Sequence, residues 1–191
     1  MTSPLLEPFV IADHPALDLL NTVARIDGAE VDFFGDDADV ARWLVKTGWL
    51  AADEAAAAPQ RGLCDAARKL RAAVRTLVAR RKAGERADPA PLNAFLAQAE
   101  SRPELVWDAA GAPRIERRRG RRTPEQLLAP LAESAADLLS AGDFDLVRPC
   151  GNPECVLWFY DRTKSHRRRW CRMAACGNRH KVAAFRQRRH E

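Results

Sequence analysis

Four of the five cysteines of this 191-residue chain lie within its last 42 residues, in two pairs of equal spacing. Cys150 and Cys155 form one C-x4-C pair, and Cys171 and Cys176 form the other, with 15 residues between the pairs. Thiolates suit Zn²⁺, which takes four ligands in a tetrahedron, and a closed set of four makes a structural site. Because cysteine pairs at short spacing are typical of zinc sites, the sequence predicts one structural zinc ion held by all four thiols.

Other uses of the four thiols stay open at the level of sequence. Two disulfides would require an oxidising compartment, an iron–sulfur cluster also takes four thiolates, and a redox switch would release the metal on oxidation. His166 lies five residues before Cys171, and His180 lies four residues after Cys176, so either imidazole could replace a cysteine ligand. We favour the four-cysteine zinc site, because iron–sulfur motifs use other spacings.

The residues around the two pairs predict how the chain positions the metal. Turn-forming residues 151–153 lie inside the first pair. The apolar run 156–160 predicts a strand that buries Trp158 or Phe159 behind the metal, and residues 177–179 lead into a helix. A segment of this size has too small a core to fold alone, so we expect bound metal to supply much of its folding free energy.

Upstream of the cysteines, the hydrophobic pattern predicts a mainly α (α+β) body, a helical domain over residues 1–142 with one small β-hairpin. Its core requires no metal. Apolar residues alternate with period two over 105–117, around a turn at Ala110-Gly111, which predicts the hairpin. Residues 143–149 are expected to link the body to the cysteine segment, so the second domain is 143–191. The predicted helices are 14–23, 36–50, 60–82, 92–99 and 123–142.

Three polar or reactive residues of the body are predicted to stabilise the fold rather than to bind a ligand or react. Asp18 and Asn21 lie on one turn of the first predicted helix, where they either line a ligand pocket or form structural hydrogen bonds. The structural role is favoured, because buried polar groups are usually paired. Cys64 lies beside the apolar stripe of the third predicted helix and is interpreted as a small core residue.

Positive charge is concentrated in the cysteine segment. Residues 150–191 hold eleven Lys and Arg against three Asp and Glu, a net charge of +8, whereas the rest of the chain has a net charge of −3. This asymmetry favours an anionic partner for that segment. No run approaches the roughly 20 apolar residues of a membrane span, and the N-terminus lacks the order of a secretory signal. We therefore expect a cytoplasmic protein with no membrane partner.

Two stretches around the second cysteine pair resemble a known zinc-finger signature. Residues 168–173 (RRWCRM) and 176–181 (CGNRHK) resemble the CGNR zinc finger, and 150–161 resemble that family's first knuckle with its aromatic strand and Asp. Residues 16–22 (ALDLLNT) are similar to the opening of the ABATE domain, which commonly precedes this finger. The resemblance implies a treble-clef-like zinc finger behind a helical domain, in a stress-induced transcription regulator of bacteria.

The charge of the finger predicts contact with nucleic acid, with duplex DNA favoured. A helix docked by Val182 and Phe185 would carry cationic rows on both sides of that stripe, facing phosphates or the major groove. A solvated basic surface that maintains solubility is the alternative interpretation of the same residues. The candidate nucleic-acid contacts are Arg162, Lys164, Arg167, Arg168, Arg169, Arg179, Lys181, Arg186 and Arg188.

These observations predict a zinc-finger DNA-binding transcription regulator; the alternative is an RNA-binding or protein-interaction module built on the same finger. The body is expected to dimerise or to sense a signal, and a homodimer and an unknown small-molecule effector are both hypotheses. An enzyme is not expected, because four thiolates leave no open coordination position and the body shows no nucleophile–base pattern. A second basic cluster at 117–122 either extends the finger surface or is an exposed loop.

Overall fold

Five α-helices build the body within residues 7–55 and 61–181, the part of the chain that the computed structural model describes. The chain is mainly helical with small two-stranded sheets, so the predicted fold class is confirmed. All five predicted helices are present, with ends that differ by a few residues. They are α1 (Pro15–Leu20), α2 (Asp37–Lys46), α3 (Leu63–Lys82), α4 (Ala90–Leu96) and α5 (Pro124–Ala141).

Side-chain caps fix the starts of the helices. Asp36 accepts the N–H of Asp39 at 2.8 Å before α2, and Asp39 accepts the N–H of Asp36 in return, which completes a capping box. Thr123 accepts the N–H of Gln126 at 3.2 Å before α5. Asp37 accepts the N–H of Cys64 at 2.7 Å, so the first turn of α2 also caps α3 and holds the two helices together.

A β-hairpin that the sequence analysis did not predict follows α1. Its strands β1 (Val23–Ile26) and β2 (Ala29–Asp32) are antiparallel, with Ile26 opposite Ala29. Asp27 and Gly28 therefore form a two-residue turn, with φ of 50° and 85°. Asp-Gly is a preferred pair for such turns. The first predicted helix consequently ends at Leu20 rather than 23, and the body has two hairpins among its described residues rather than one.

Two further hairpins follow along the chain. The predicted one is present as β3 (Ser101–Trp107) and β4 (Pro113–Arg119), with Leu105 opposite Ile115. Strands β5 (Val147–Pro149) and β6 (Trp158–Tyr160) pair around the first cysteine knuckle. Strand β5 lies in the segment expected to be a link, so the finger begins as part of a sheet. None of the described helices is long and apolar enough to span a membrane.

The hydrophobic core has two parts that meet at the finger. The larger part lies among the five helices and includes Leu19, Leu70 and Leu128, all fully buried. Cys64 is also buried there, as predicted, and its Sγ donates to the Phe34 carbonyl at 3.3 Å. The smaller part joins the β1–β2 hairpin to the cysteine segment. It contains Ala24, Phe33, Leu157, Phe159, Cys150, Cys171 and Cys176.

Candidate metal centre and nucleic-acid interface

The two cysteine pairs converge on one point. The Sγ atoms of Cys150, Cys155, Cys171 and Cys176 all lie within 4.8 Å of one another. Cys171 Sγ is 3.8 Å from Cys155 Sγ and 3.6 Å from Cys176 Sγ. A tetrahedron with Zn–S bonds of about 2.3 Å has edges of about 3.8 Å, so the spacing fits. The four cysteines therefore form a site for one structural zinc ion, as the sequence predicted.

N–H groups orient the sulfurs. The backbone N–H of Cys171 donates to Cys150 Sγ at 3.3 Å, and the side-chain amide of Asn152 donates to Cys176 Sγ at 3.5 Å. Donors of this kind favour the thiolate over the protonated thiol, and thus the form that binds metal. Asn152, predicted only as a turn former, therefore also links the first knuckle to the second.

A π-helical turn (Met173–Gly177) forms the backbone of the second pair. The N–H of Gly177 donates to the Arg172 carbonyl at 3.2 Å, which is an i→i+5 hydrogen bond. The turn begins directly after Arg172 and places Cys176 Sγ 3.6 Å from Cys171 Sγ. A Cβ on Gly177 would overlap Met173 Sδ, so a larger residue there would require the exposed Met173 side chain to move. Helical residues begin again at Asn178.

The crowded thiols do not ionise independently. Hydrogen bonds with Cys155 and Cys171 lower the pKa of the Cys150 thiol to about 2. The hydrogen bond to Cys150 raises the pKa of Cys155 to about 12, and the same interaction raises the pKa of Cys171 well above its usual range. Adjacent thiolates repel, so the Cys150 sulfur is ionised while Cys155 and Cys171 keep their protons. A divalent cation reverses this preference by replacing the protons.

Phe159, rather than Trp158, lies behind the metal site. Its ring is fully buried and packs in the cluster that contains Cys150 and Cys171. Trp158 and Tyr160 are half-buried and pack against the helical core. Alternate side chains of one strand point to opposite faces, so β6 contributes one face to the finger and the other to the body.

Asp161 organises the basic loop between the two knuckles. Its buried carboxylate accepts the hydroxyl of Thr163 at 2.6 Å and the backbone N–H of Arg168 at 2.8 Å. Burial alone would raise the pKa of this carboxyl, but the hydrogen bonds from Thr163 and Arg168 bring the pKa below its ordinary value. Asp161 was predicted only as part of the zinc-finger motif. Its position directly after an apolar strand could have indicated a buried, hydrogen-bonded carboxylate.

The two histidines near the cysteines have other partners. Nδ1 of His166 lies 3.2 Å from the Asp161 carbonyl, inside the loop. The His180 ring contacts Trp170 in a tilted arrangement, with centroids 4.7 Å apart and ring planes at 38°. The cluster of metal-ligating groups found among the described residues contains neither imidazole, which agrees with the four-cysteine assignment.

Arg168 joins the finger to the body. Its guanidinium donates to the Asp13 carboxylate at 2.6 Å, to the Ile11 carbonyl at 2.9 Å and to the Cys171 carbonyl at 2.6 Å. It also lies 4.2 Å from the centroid of the Phe159 ring, and only 18% of the side chain is exposed. Arg168 was predicted to contact nucleic acid, but its guanidinium is already occupied by these contacts within the protein. The sequence could not indicate the ion pair with Asp13, because the two residues lie 155 positions apart.

Asp18 and Asn21 hold the same junction from the body. Asp18 Oδ1 accepts the N–H groups of Ile11 and Ala12 at 2.8 and 2.9 Å. Asn21 donates to the Trp158 carbonyl at 2.9 Å and accepts the Trp158 N–H at 2.8 Å, as a strand neighbour would. Both side chains are thus used in internal hydrogen bonds, and the structural interpretation accounts for them without a ligand.

Most of the described basic residues of the finger have no described carboxylate partner. Of the eight Lys and Arg residues between 162 and 181, only Arg168 has a described carboxylate within 4.0 Å. The other seven are exposed. Arg172 was not among the predicted contacts, although it lies inside the second cysteine pair. Arg186 and Arg188, with Val182 and Phe185, lie outside the described residues. The seven are Arg162, Lys164, Arg167, Arg169, Arg172, Arg179 and Lys181.

The second basic cluster is neutralised by glutamates. Arg118 donates to Glu104 at 2.8 Å, and Arg119 donates to Glu133 at 2.6 Å. Arg121 pairs with Glu54, and Arg122 lies 3.6 Å from Glu100. Only Arg117 in this cluster has no described carboxylate partner. The cluster therefore has much less net charge available to an anionic partner than its sequence suggests.

Comparison with known families agrees with this architecture. The model of the ABATE family, described as "Putative stress-induced transcription regulator", matches residues 13–142. The model of the CGNR zinc finger matches residues 147–189. No curated protein matches the chain.

Proposed function

Because this chain belongs to the ABATE family and carries a CGNR zinc finger, we propose that it is a transcription regulator whose finger binds duplex DNA. The observation that carries the proposal is the set of seven exposed cations on the finger without described carboxylate partners. Cations that are already paired give little attraction to a phosphate backbone, whereas free ones release counterions when they bind. The zinc ion holds these cations on one small folded unit.

The loop and the helix start are suited to different parts of a duplex. Arg162, Lys164 and Arg167 lie on the loop that Asp161 folds, and such cations fix position through phosphate contacts. Arg179 and Lys181 are exposed at the start of the last helix, where side chains of a DNA-binding helix reach base edges. We therefore assign positioning to the loop and base contact to the helix.

The tryptophans of the finger favour duplex DNA over single-stranded RNA. Recognition of unstacked bases requires an open aromatic face. The Trp170 ring is covered by His180 and by the Arg169 guanidinium at 5.2 Å from its centroid. Trp158 packs against the helical core. The closed set of four thiolates supports a structural rather than a catalytic role for the zinc ion.

A salt-dependent titration tests the proposal. Anisotropy of a labelled duplex is measured with zinc-loaded protein between 50 and 200 mM salt, with single-stranded RNA as competitor. Five to seven phosphate contacts predict a slope of log K against log salt of about −4 to −6. Arg167→Gln and Arg169→Gln should each weaken binding and make the slope shallower by about one.

Lys69→Gln is the matched control, because Lys69 is an exposed cation on α3, in the body. It removes the same charge and should leave the slope unchanged. Absence of duplex binding at 50 mM salt would exclude the proposal. Preferential displacement by the RNA competitor would instead support the RNA-binding alternative.

A further inference from the structure

The β3–β4 hairpin has one apolar face that no described residue covers. Opposite residues of an antiparallel pair share a face, and the register places Leu105 opposite Ile115 and Trp107 opposite Pro113. Leu105, Trp107 and Ile115 are 66, 69 and 72% exposed. An antiparallel sheet normally packs its apolar face on a core. Here that face is open.

The other face of the same hairpin is polar and carries ion pairs. Arg114 pairs with Glu116, and Arg118 pairs with Glu104 and with Glu116. The hairpin thus has a polar face that carries these ion pairs and an apolar face that no described residue covers. Isolated two-stranded hairpins are marginal in water. A partner on the apolar face would therefore add to the stability of this hairpin, which Arg119 ties to the body through Glu133.

We propose that two copies of this chain pair through the apolar face of this hairpin. A twofold dimer needs one patch that is complementary to itself. Among the described residues, the other large apolar side chains classed as exposed are Val10 and Met173, which lie outside this hairpin. The hairpin face is the one apolar cluster among them large enough to match a second hairpin face.

The charges on this face fit an antiparallel arrangement of the two hairpins. Arg117 lies on the same face as Ile115, near the base of the hairpin, and has no described carboxylate partner. A twofold axis across the strands separates the two Arg117 side chains. It also places the Arg117 guanidinium of each copy beside the Trp107 ring of the other copy, and an aromatic ring attracts a cation. Parallel stacking would instead place the like charges together.

The area of the apolar patch sets the affinity that we expect between the two copies. Three large side chains expose on the order of a few hundred Å² of apolar surface, less than the roughly 800 Å² that each partner buries in a standard stable complex. We therefore expect a reversible dimer with a dissociation constant of roughly micromolar magnitude. The inference goes beyond the proposed DNA binding and does not depend on it.

Sedimentation velocity of the zinc-loaded full chain, between about 1 and 200 µM and without DNA, tests the proposal. The wild type should change from monomer to dimer across this range. Ile115→Lys should weaken the dimer at least tenfold, because it places a charge in the apolar centre of the interface. Val10→Lys is the matched control, because Val10 is 43% exposed but lies outside the hairpin. The dissociation constant of the Val10→Lys dimer should equal that of the wild type.

The outcomes separate the occupants. A wild type that is monomeric at every concentration would overturn the proposal, as would an unaffected Ile115→Lys dimer. If Ile115→Lys leaves sedimentation unchanged but alters duplex binding, DNA rather than a second copy occupies the face. Far-ultraviolet circular dichroism of both variants shows whether they are folded; if Ile115→Lys does not fold, Leu105→Ser gives the same test at a second position.

Discussion

The Arg168 guanidinium donates a 2.6 Å hydrogen bond to the Asp13 carboxylate, across 155 residues of sequence. The same guanidinium contacts the Ile11 carbonyl, while Asp18 of α1 accepts the Ile11 N–H. The segment before α1 is therefore held from both sides, by the finger and by the body. We therefore expect finger and body to share part of their stability.

Replacement of Arg168 should mainly lower the free energy of unfolding and should have less effect on the affinity for duplex DNA. Arg168→Gln removes several charge-assisted hydrogen bonds, which together contribute about 1.5–3 kcal/mol to the free energy of unfolding. For a chain of this length, that corresponds to a decrease in Tm of roughly 3–10 °C. Thermal unfolding of zinc-loaded protein measures the effect.

The neighbouring arginine provides the comparison. Arg167 is exposed and has no described carboxylate partner, so Arg167→Gln should leave Tm within about 1 °C of wild type. It should weaken duplex binding instead. An Arg168→Gln protein as stable as Arg167→Gln would show that the junction does not contribute to folding.

Loss of one zinc ligand should affect the body as well as the finger. The cluster that contains Cys171 also contains Ala24 and Phe33 of the β1–β2 region. Cys171→Ser should reduce bound zinc from one equivalent to nearly none and should broaden or lower the unfolding transition of the whole chain. Cys64→Ala should retain one equivalent, because the Cys64 thiol lies in the helical core. Metal analysis and calorimetry distinguish the two; zinc retained by Cys171→Ser would contradict the assignment.

Zinc binding should release protons and weaken as pH falls. In the metal-free arrangement the pKa of Cys155 is raised to about 12 and that of Cys171 is raised further, so both thiols hold protons at pH 7. Zn²⁺ must displace these protons, and lower pH opposes their loss. Calorimetric titration in buffers of different ionisation enthalpy should give two or more protons released per zinc at pH 7. A pH-independent affinity between pH 5.5 and 7.5 would contradict the four-thiolate site.

The ion pair between Asp32 and Arg71 should contribute stability at neutral pH. Arg71 is buried and donates to both carboxylate oxygens of Asp32, at 2.7 and 2.6 Å, which fixes the β1–β2 hairpin to α3. Burial raises the pKa of Asp32, but hydrogen bonds from Arg71 and Phe34 lower it more, so the net pKa is below the ordinary 3.8. Asp32→Asn leaves the Arg71 charge without its counter-ion and should cost about 2–3 kcal/mol at pH 7, less than the roughly 3–5 kcal/mol of a fully buried pair because Asp32 is 31% exposed.

The sign of the pH effect follows from the lowered pKa. The contribution of Asp32 is present above pH 3.8 and is lost as pH falls through the folded-state pKa. The difference in unfolding free energy between wild type and Asp32→Asn should therefore shrink below about pH 4. Zinc loss at low pH affects both proteins, so their difference is the relevant quantity. Asp137→Asn on the exposed side of α5 is the control, and it should show no such trend.

The local elements could largely be predicted because their signals lie close together in the chain. Asp36 and Thr123 mark helix starts, and the C-x4-C pairs mark the metal site. The β1–β2 hairpin was missed although Asp27-Gly28 is a turn signal, because the apolar residues of 14–23 continued a helical pattern. A turn signal next to a helix end should have outweighed that pattern.

The long-range relationships could not be predicted from one sequence. The charge of Arg168 is the same whether it meets phosphate or Asp13, and only the fold decides. The glutamate partners of Arg118 and Arg119 likewise lie 14 residues away in each case. Residue type predicted which groups were available for binding. The fold determined which of them were already used.

The shared cluster of the finger and the β1–β2 region also limits how this protein can be rearranged. A transplant of residues 147–181 onto another scaffold would carry Leu157 and Phe159 without Ala24 and Phe33, which pack with them here. The recipient would have to supply an apolar cover of its own. Recombination that separates the finger from the β1–β2 region is therefore expected to give poorly folded chimeras, and functional exchange between homologues would have to move these two segments together.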